Sequence, residues 1–258
     1  MAPLSNQGHF VWRDLITPDP AVAEAFYSAL FGWTVEHHDF GTGTIFRIIE
    51  QDGVPFGTIA PLLPGATSAY WYSYIGTPDA DAAAETAASL GATIQIAPGD
   101  VEGFGRFGVI ADPHGAIFAP ITGEQPGPDP DADVPLGGIS WNELITPDIA
   151  GSIAFYRALF DYDTTDIPTS DGSYKLLKRT ENGVTTTHGG VFHAPNALPA
   201  SAWVIYFRVA DIDAAREQAE SLGATLATGV IDVADFGRTC WLTDPTGALI
   251  GLHQVVEE

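Results

Sequence analysis

Residues 12–31 of the chain are WRDLITPDPAVAEAFYSALF, and residues 141–160 are WNELITPDIAGSIAFYRALF. Thirteen of these twenty aligned positions are identical. The two stretches are separated by 141 − 12 = 129 residues, whereas the units of solenoid repeats are about 20–50 residues long. The match therefore indicates that a whole domain has been duplicated within one chain.

The duplication continues beyond this stretch. DADAAAETAASLGAT from Asp79 matches DIDAAREQAESLGAT from Asp211, and FGRFGVIADPHGAI from Phe104 matches FGRTCWLTDPTGAL from Phe236. Both later pairs lie 132 residues apart (211 − 79 and 236 − 104), so the second half carries about three additional residues.

A segment without apolar periodicity separates the two copies. Residues 122–138, TGEQPGPDPDADVPLGG, are rich in Pro, Gly and Asp, which predicts a linker. We therefore expect a first domain over residues 1–121 and a second over residues 139–258.

Each half predicts the same order of elements. Residues 10–17 are apolar and β-prone, and Asp19 before Pro20 is typical of a helix start, which Gly32 would end. Val22, Phe26 and Leu30 are spaced to form the buried stripe of this helix. Further strands are predicted near 33–40, 44–50, 55–63, 70–76, 92–96, 106–111 and 115–121, with a second helix over 79–90. This order is βαβββ-βαβββ, and it recurs in the second half.

Composition and charge exclude several classes of protein. Thirty-three acidic and ten basic residues give a formal charge of −23, which disfavours nucleic acid and anionic membrane surfaces as partners. No apolar run is long enough to cross a membrane, and the first ten residues do not resemble a secretory signal. Cys240 is the sole cysteine, so no internal disulfide can form. We expect a cytoplasmic monomer or homodimer whose partner is a small molecule.

The paired βαβββ modules, the FY helix and the DPxG turns resemble the vicinal oxygen chelate superfamily of glyoxalases, bleomycin-resistance proteins and extradiol dioxygenases. The resemblance covers nearly the whole chain outside the first few residues and the linker. It implies an α+β fold of two tandem glyoxalase-like domains, each with a cupped mixed sheet that holds a small molecule and often a divalent metal. Independently of family, Asp-Pro-x-Gly is typical of a type I turn, and the helix aromatics Phe26, Tyr27, Phe155 and Tyr156 are expected to be core residues.

The ligands that the family uses for its metal are missing from this sequence. In metal-binding members a histidine lies seven residues before the helix-capping Asp, a second lies seven before the Asp of DxD, and a glutamate follows seven after the Asp of DPxG. Those positions here are Trp12, Tyr72 and Ala119 in the first half, and Trp141, Val204 and Gly251 in the second. None of these side chains supplies a carboxylate or imidazole donor. We expect no cofactor at the usual positions, although a divalent metal at another site stays open.

Aromatic and acidic residues share the faces on which these ligands would lie. Alternate residues of a strand point to the same face. Asp14 therefore shares a face with Trp12, and Glu143 with Trp141. Likewise, Tyr72 shares a face with Tyr74, and Val204 shares a face with Tyr206. An aromatic-lined cup with one carboxylate suits a planar or cationic organic molecule. The alternative is that the tryptophans merely fill the cup.

The two halves differ in their titratable residues. His188 and His253 of the second half align with Phe56 and Ile121 of the first. Glu143 and His253 could act as an acid–base pair, and with His188 they could form a shifted two-histidine, one-carboxylate metal site. We therefore expect function to depend more on the second half.

Two functions follow from these residues. The first is a bleomycin-resistance-like protein that sequesters or transforms a small cationic or aromatic compound without the usual metal. The alternative is a glyoxalase-like enzyme of the lyase, isomerase or dioxygenase type, in which Glu143 and His253 act with an unusual metal or none. Fold resemblance alone does not choose between them.

Overall fold

A computed structural model of the protein describes residues 6–39, 45–62, 67–123, 133–168, 174–193 and 201–256. Residues 124–132 of the predicted linker lie outside these ranges. The elements of the first half are β1 (Phe10–Thr17), α1 (Pro20–Phe31), β2 (Thr34–Asp39), β3 (Ile45–Gln51), β4 (Val54–Pro61), β5 (Tyr70–Gly76), α2 (Ala80–Ser89), β6 (Thr93–Val101), β7 (Gly105–Ala111) and β8 (Ile117–Thr122).

The second half repeats this order with one difference. Its elements are β9 (Ile139–Thr146), α3 (Ile149–Phe160), β10 (Asp163–Ile167), β11 (Tyr174–Glu181), β12 (Val184–His193), β13 (Ala202–Arg208), α4 (Ile212–Ser221), β14 (Thr225–Leu226), β15 (Ile231–Val233), β16 (Gly237–Thr243) and β17 (Leu249–Val255). The nine-residue β6 of the first half corresponds to two short strands, β14 and β15. The sequence did not predict this interruption.

The capping prediction for α1 is confirmed. The Asp19 carboxylate accepts hydrogen bonds from the amides of Ala21 and Val22, and Gly32 ends the helix with a left-handed φ of 74°. These bonds satisfy backbone donors that have no partner inside the helix.

The predicted buried stripe of α1 is partly wrong. Val22 is 42% exposed, and the buried residues of the helix are Ala23, Phe26 and Tyr27. Spacing at i, i+4 and i+8 drifts around a helix of 3.6 residues per turn, so Phe26 and the partly buried Leu30 lie on the core side while Val22 does not.

The strands belong to two mixed sheets, one from each half of the chain. β1 runs parallel to β4, with Leu15 opposite Ile59, whereas β2, β3 and β4 pair antiparallel. β9 pairs with β12 in the same parallel manner. The predicted α+β class with two tandem domains of paired βαβββ modules is therefore confirmed.

The described chain divides into two compact units, which do not coincide with the two halves. The central unit contains the N-terminal residues through Trp12, the module that begins at Tyr72 and the module that begins at Asn142. The terminal unit contains the module that begins at Arg13 and the module that begins at Val204. Each unit thus combines one module from each half, and each has its own hydrophobic core.

A buried hydrogen-bonded chain joins the two modules inside the terminal unit. Trp71 Nε1 donates to Tyr27 Oη at 2.8 Å, and Tyr27 Oη donates to Asp244 Oδ2 at 2.8 Å. Burial, and next the nearby Asp244 carboxylate, raise the pKa of Tyr27 well above its ordinary value, so its hydroxyl stays protonated and donates.

The central unit repeats this arrangement. Trp203 Nε1 donates to Tyr156 Oη at 2.9 Å, and Tyr156 Oη donates to Asp112 Oδ2 at 3.1 Å. Both aspartates begin a DPxG turn, and their Oδ1 atoms accept backbone amides of that turn, those of His114 and Ala116 in the case of Asp112. The tyrosine of each FY motif therefore donates a hydrogen bond to the aspartate of a DPxG turn. In both cases the tyrosine and the turn belong to different halves of the chain.

No described helix is both long and apolar enough to span a membrane.

We predict that the pairing between halves appears in double-mutant cycles. Tyr27→Phe leaves the buried Asp244 carboxylate without its hydroxyl donor, and we expect a loss of about 1–3 kcal/mol in the free energy of unfolding. Tyr27→Phe and Asp244→Asn should be non-additive by about 0.5–3 kcal/mol in guanidinium denaturation.

The matched control cycle combines Tyr27→Phe with Asp112→Asn, the partner of the other tyrosine. These two changes share no hydrogen bond, so their effects should add to within about 0.5 kcal/mol. Equal coupling in both cycles would show that the Tyr27–Asp244 bond does not join the modules.

Candidate functional site

The positions where family members carry metal ligands hold no carboxylate or imidazole in this chain, and in the second half tyrosines cover Gly251 and, on another strand, Gly190. A Cβ atom at Gly251 would collide with the ring of Tyr206, and a Cβ atom at Gly190 would collide with the hydroxyl of Tyr174. Position 251 therefore cannot carry the usual glutamate unless Tyr206 moves.

Among the residues that the structure describes, no three histidine, cysteine, aspartate or glutamate side chains are grouped so that they could hold a metal ion. The shifted set of Glu143, His188 and His253 is therefore not assembled. The residues present do not fit the metal that the family resemblance implies.

A β-bulge explains the placement of His188. The register between β11 and β12 shifts at Leu177 and Lys178, which leaves His188 as the extra residue of β12. Its ring contacts His9 edge-on at 4.6 Å and Tyr162 at 5.4 Å, and its Nε2 is 2.8 Å from Thr186 Oγ1. The sequence did not predict this bulge.

Both predicted carboxylates are buried on their first-module strands. Glu143 is 7% exposed and lies opposite Gly190 in the register of β9 and β12. Asp14 is 9% exposed and lies opposite Thr58 in the register of β1 and β4. Burial, and then the Asp14 charge, raise the pKa of Tyr70. Each carboxylate thus has a defined position in its sheet, set by strand pairing inside its own compact unit.

A cluster of aromatic rings occupies the predicted face of the first half; its tryptophan and tyrosines are buried, whereas Phe104 and Phe107 are half-buried. Tyr72 and Tyr74 share a face as predicted, with their hydroxyls 3.1 Å apart. Phe104 contacts both Trp12 and Tyr74 edge-on, at 5.4 and 5.5 Å. Trp12, Tyr72 and Tyr74 are at most 4% exposed. We call Trp12, Tyr72, Tyr74, Phe104 and Phe107 the first aromatic cluster.

The aligned residues of the second half form a looser arrangement. Trp141 contacts Phe236 at 6.4 Å, and Trp241 Nε1 donates to the hydroxyl of Tyr206. We call Trp141, Tyr206, Phe236 and Trp241 the second aromatic cluster. Tyr206 and Trp241 are buried, but Trp141 is half-buried and Phe236 is 38% exposed.

The two clusters differ at three aligned positions: two large residues of the first are small in the second, and Val109 of the first half corresponds to Trp241 of the second. At a spacing of 132, Tyr72 corresponds to Val204 and Phe107 corresponds to Thr239. The second face therefore has fewer rings to bury its tryptophan. A half-exposed pair of rings can accept another planar ring in offset or edge-on contact, whereas the first cluster makes those contacts internally.

His253 borders the second aromatic cluster. Its Nδ1 lies 3.0 Å from Ser140 Oγ, and its Nε2 lies 2.9 Å from the carbonyl oxygen of Phe236. Burial lowers the pKa of His253, the hydrogen bond to Phe236 opposes this shift, and the charge of Arg208 adds to it. The ring is therefore neutral at pH 7, and both of its nitrogens have protein partners.

The repeated FGR motif positions the phenylalanines of both clusters. Arg238 binds Asp213 at 2.8 Å and lies 3.3 Å from Asp232. Arg106 makes the corresponding ion pairs with Asp81 and Asp100. These contacts anchor the hairpin next to each phenylalanine. Phe104 and Phe236 were not predicted as site residues, although each is the first residue of the repeated FGR motif.

Comparison with known proteins identifies the family. A model of the Glyoxalase/Bleomycin resistance protein/Dioxygenase superfamily matches residues 6–119 and again residues 138–252. The chain belongs to this superfamily.

Relatives with similar sequences have several names. The chain is 30% identical to "Putative glyoxylase CFP32" of Mycobacterium bovis, over 96% of this chain and 95% of the relative. It is 34% identical to the anthracycline biosynthesis protein DnrV of Streptomyces peucetius, over 92% of this chain and 90% of the relative.

Solved structures share the fold at lower identity. The Mn(II)-bound glyoxalase of Novosphingobium aromaticivorans superposes with a TM-score of 0.67 at 14% identity, covering 99% of this chain and 84% of the other. The 2,2′,3-trihydroxybiphenyl 1,2-dioxygenase of Sphingomonas wittichii gives a TM-score of 0.64 at 14% identity, covering 98% and 93%. This superfamily member thus keeps the fold, while its usual ligand positions hold other residues.

We predict that His188 makes stability depend on acid pH. Burial, followed by His9 and Arg179, lowers the pKa of His188 to about 3. In the unfolded chain His188 has its ordinary pKa of about 6.5. Below pH 6.5 the unfolded chain therefore binds a proton at His188 that the folded chain does not bind. Stability should therefore fall by about 1.4 kcal/mol per pH unit as the pH drops from 6.5 toward 3.

His188→Gln should remove this slope, measured by denaturant unfolding between pH 7 and 4. His37→Gln is the control, since His37 is exposed. If the free energy of unfolding of His188→Gln depended on pH as in the wild type, His188 would not be the source of the acid sensitivity.

Proposed function

We propose that this protein binds a planar aromatic small molecule against Trp141 and Phe236, without using a metal ion. The observation that carries the proposal is the contrast between the two aromatic clusters. In the first cluster Trp12 is buried and Phe104 is half-buried, whereas in the second Trp141 is half-buried and Phe236 is 38% exposed. A superfamily site that has lost its metal ligands and gained exposed rings supports binding by stacking and burial.

Two further features support this proposal. Relatives at 32% and 34% identity are named anthracycline biosynthesis proteins, and anthracyclines contain a planar ring system. The formal charge of −23 also favours ligands that carry a positive charge. We include a cytoplasmic location in this proposal because the chain has a single, buried cysteine.

An enzymatic role is the second candidate, and the buried carboxylate of Glu143 is the observation that favours it. A buried carboxylate beside a substrate can act as a general base. In this candidate Glu143 would exchange a proton with the substrate. Turnover would then require the Glu143 carboxylate, and Glu143→Gln would abolish it.

The proposal predicts an unequal effect of the two tryptophans. An aminoalkyl-substituted anthraquinone, which combines planar rings with a cation, serves as the probe in a fluorescence titration. Trp141→Ala should weaken binding at least ~10-fold, about 1.4 kcal/mol, because it removes one of the two rings that contact the probe.

Trp12→Ala and Asp14→Asn are the matched controls from the first half. Each should change the affinity by less than ~3-fold, about 0.7 kcal/mol. If Trp12→Ala abolished binding while Trp141→Ala did not, the ligand site would belong to the first half.

A further inference from the structure

His253 has the geometry of a structural link. The carbonyl oxygen of Phe236 can only accept a hydrogen bond, so the proton of the neutral ring must be on Nε2, which lies 2.9 Å away. Nδ1 is then an acceptor, and the Ser140 hydroxyl donates to it at 3.0 Å. This tautomer leaves neither nitrogen available to a bound molecule without breaking a protein hydrogen bond.

Phe236 lies in the turn of a hairpin, where a hydrogen bond to its carbonyl oxygen restrains the position of its ring. It is in the tight connection between β15 and β16, its amide donates to the carbonyl of Val233 at 3.1 Å, and the preceding Asp235 has a left-handed φ of 63°. The Phe236 ring is 38% exposed and contacts Trp141. The bond from His253 to the Phe236 carbonyl therefore restrains a half-exposed ring at the tip of a hairpin.

The first half has no equivalent of this link. Ile121 occupies the position of His253, and Val11 occupies the position of Ser140 (140 − 129). Neither side chain can donate or accept a hydrogen bond. In that half, Phe104 is instead held by ring contacts with Trp12, Tyr74 and Phe107.

We infer that His253 is a positioning residue, whose Nε2–H holds the Phe236 carbonyl and so keeps the Phe236 ring against Trp141 as one wall of the ligand site. This inference rests on the proposed function for the identity of the site. It differs from the acid–base role, because a positioning residue needs to donate a hydrogen bond and does not need to exchange a proton.

Three substitutions separate the two roles. The amide of Gln reaches about as far from the backbone as Nε2 of His, so His253→Gln keeps a donor to the Phe236 carbonyl. The shorter Asn places its amide near the former Nδ1, so His253→Asn reaches Ser140 but not Phe236. His253→Ala loses both bonds. None of these three side chains titrates near neutral pH.

The first readout needs no bound molecule. Hydrogen exchange, followed by mass spectrometry on the peptide that contains residues 233–237, reports how often this hairpin opens. We expect wild-type protection in His253→Gln and exchange at least ~10-fold faster in His253→Asn and His253→Ala. Ile121→Ala, the matched truncation in the first half, should leave residues 233–237 unchanged, and thermal melting confirms that each variant is folded.

The second readout is affinity for the aminoalkyl anthraquinone. His253→Asn and His253→Ala should bind at least ~10-fold more weakly, and His253→Gln within ~3-fold of wild type. Loss of binding in His253→Gln to the level of His253→Ala would overturn the inference, as would unchanged hairpin exchange in His253→Ala. If the wild-type protein does not bind the probe, the proposed function fails, and hydrogen exchange alone then decides whether His253 positions Phe236.

Discussion

The hydrogen bond between a helix tyrosine and a turn aspartate, made once in each compact unit, is the interaction on which the rest of the fold depends. Tyr27 binds Asp244 and Tyr156 binds Asp112, so each bond connects the two halves of the chain. All four groups are buried, and an unpaired carboxylate at either place would be costly. This explains why the FY helix and the DPxG turn are repeated together.

The duplicated scaffold carries two different faces. In the first half, Tyr72 and Phe107 add two rings to the cluster in which Trp12 is buried. In the second, Val204 and Thr239 leave Trp141 half-buried, and polar groups from Ser140 and His253 replace an apolar pair. The tyrosine–aspartate bonds are made in both units, whereas a few substitutions on one sheet face distinguish the half that we propose binds a ligand.

Local structure could be predicted from the sequence, but several tertiary features could not. The cap at Asp19 and the shared face of Tyr72 and Tyr74 depend on residues near one another in the chain, and both were predicted. The β-bulge at His188 has no short-range signature, and the alignment of His188 with Phe56 did not predict it. The pairing of modules across the two halves depends on contacts between residues 217 apart in the terminal unit and 44 apart in the central unit, which a repeat alone does not specify.

We propose that one half of this superfamily member holds the ligand and that it does so without a metal. Isothermal titration of the aminoalkyl anthraquinone into the full-length protein, before and after exhaustive chelation with metal content measured in parallel, tests both parts at once. We predict one molecule bound per chain, with a dissociation constant that chelation leaves unchanged. Two equivalent sites per chain, or binding that disappears with the metal and returns when it is restored, would contradict the account.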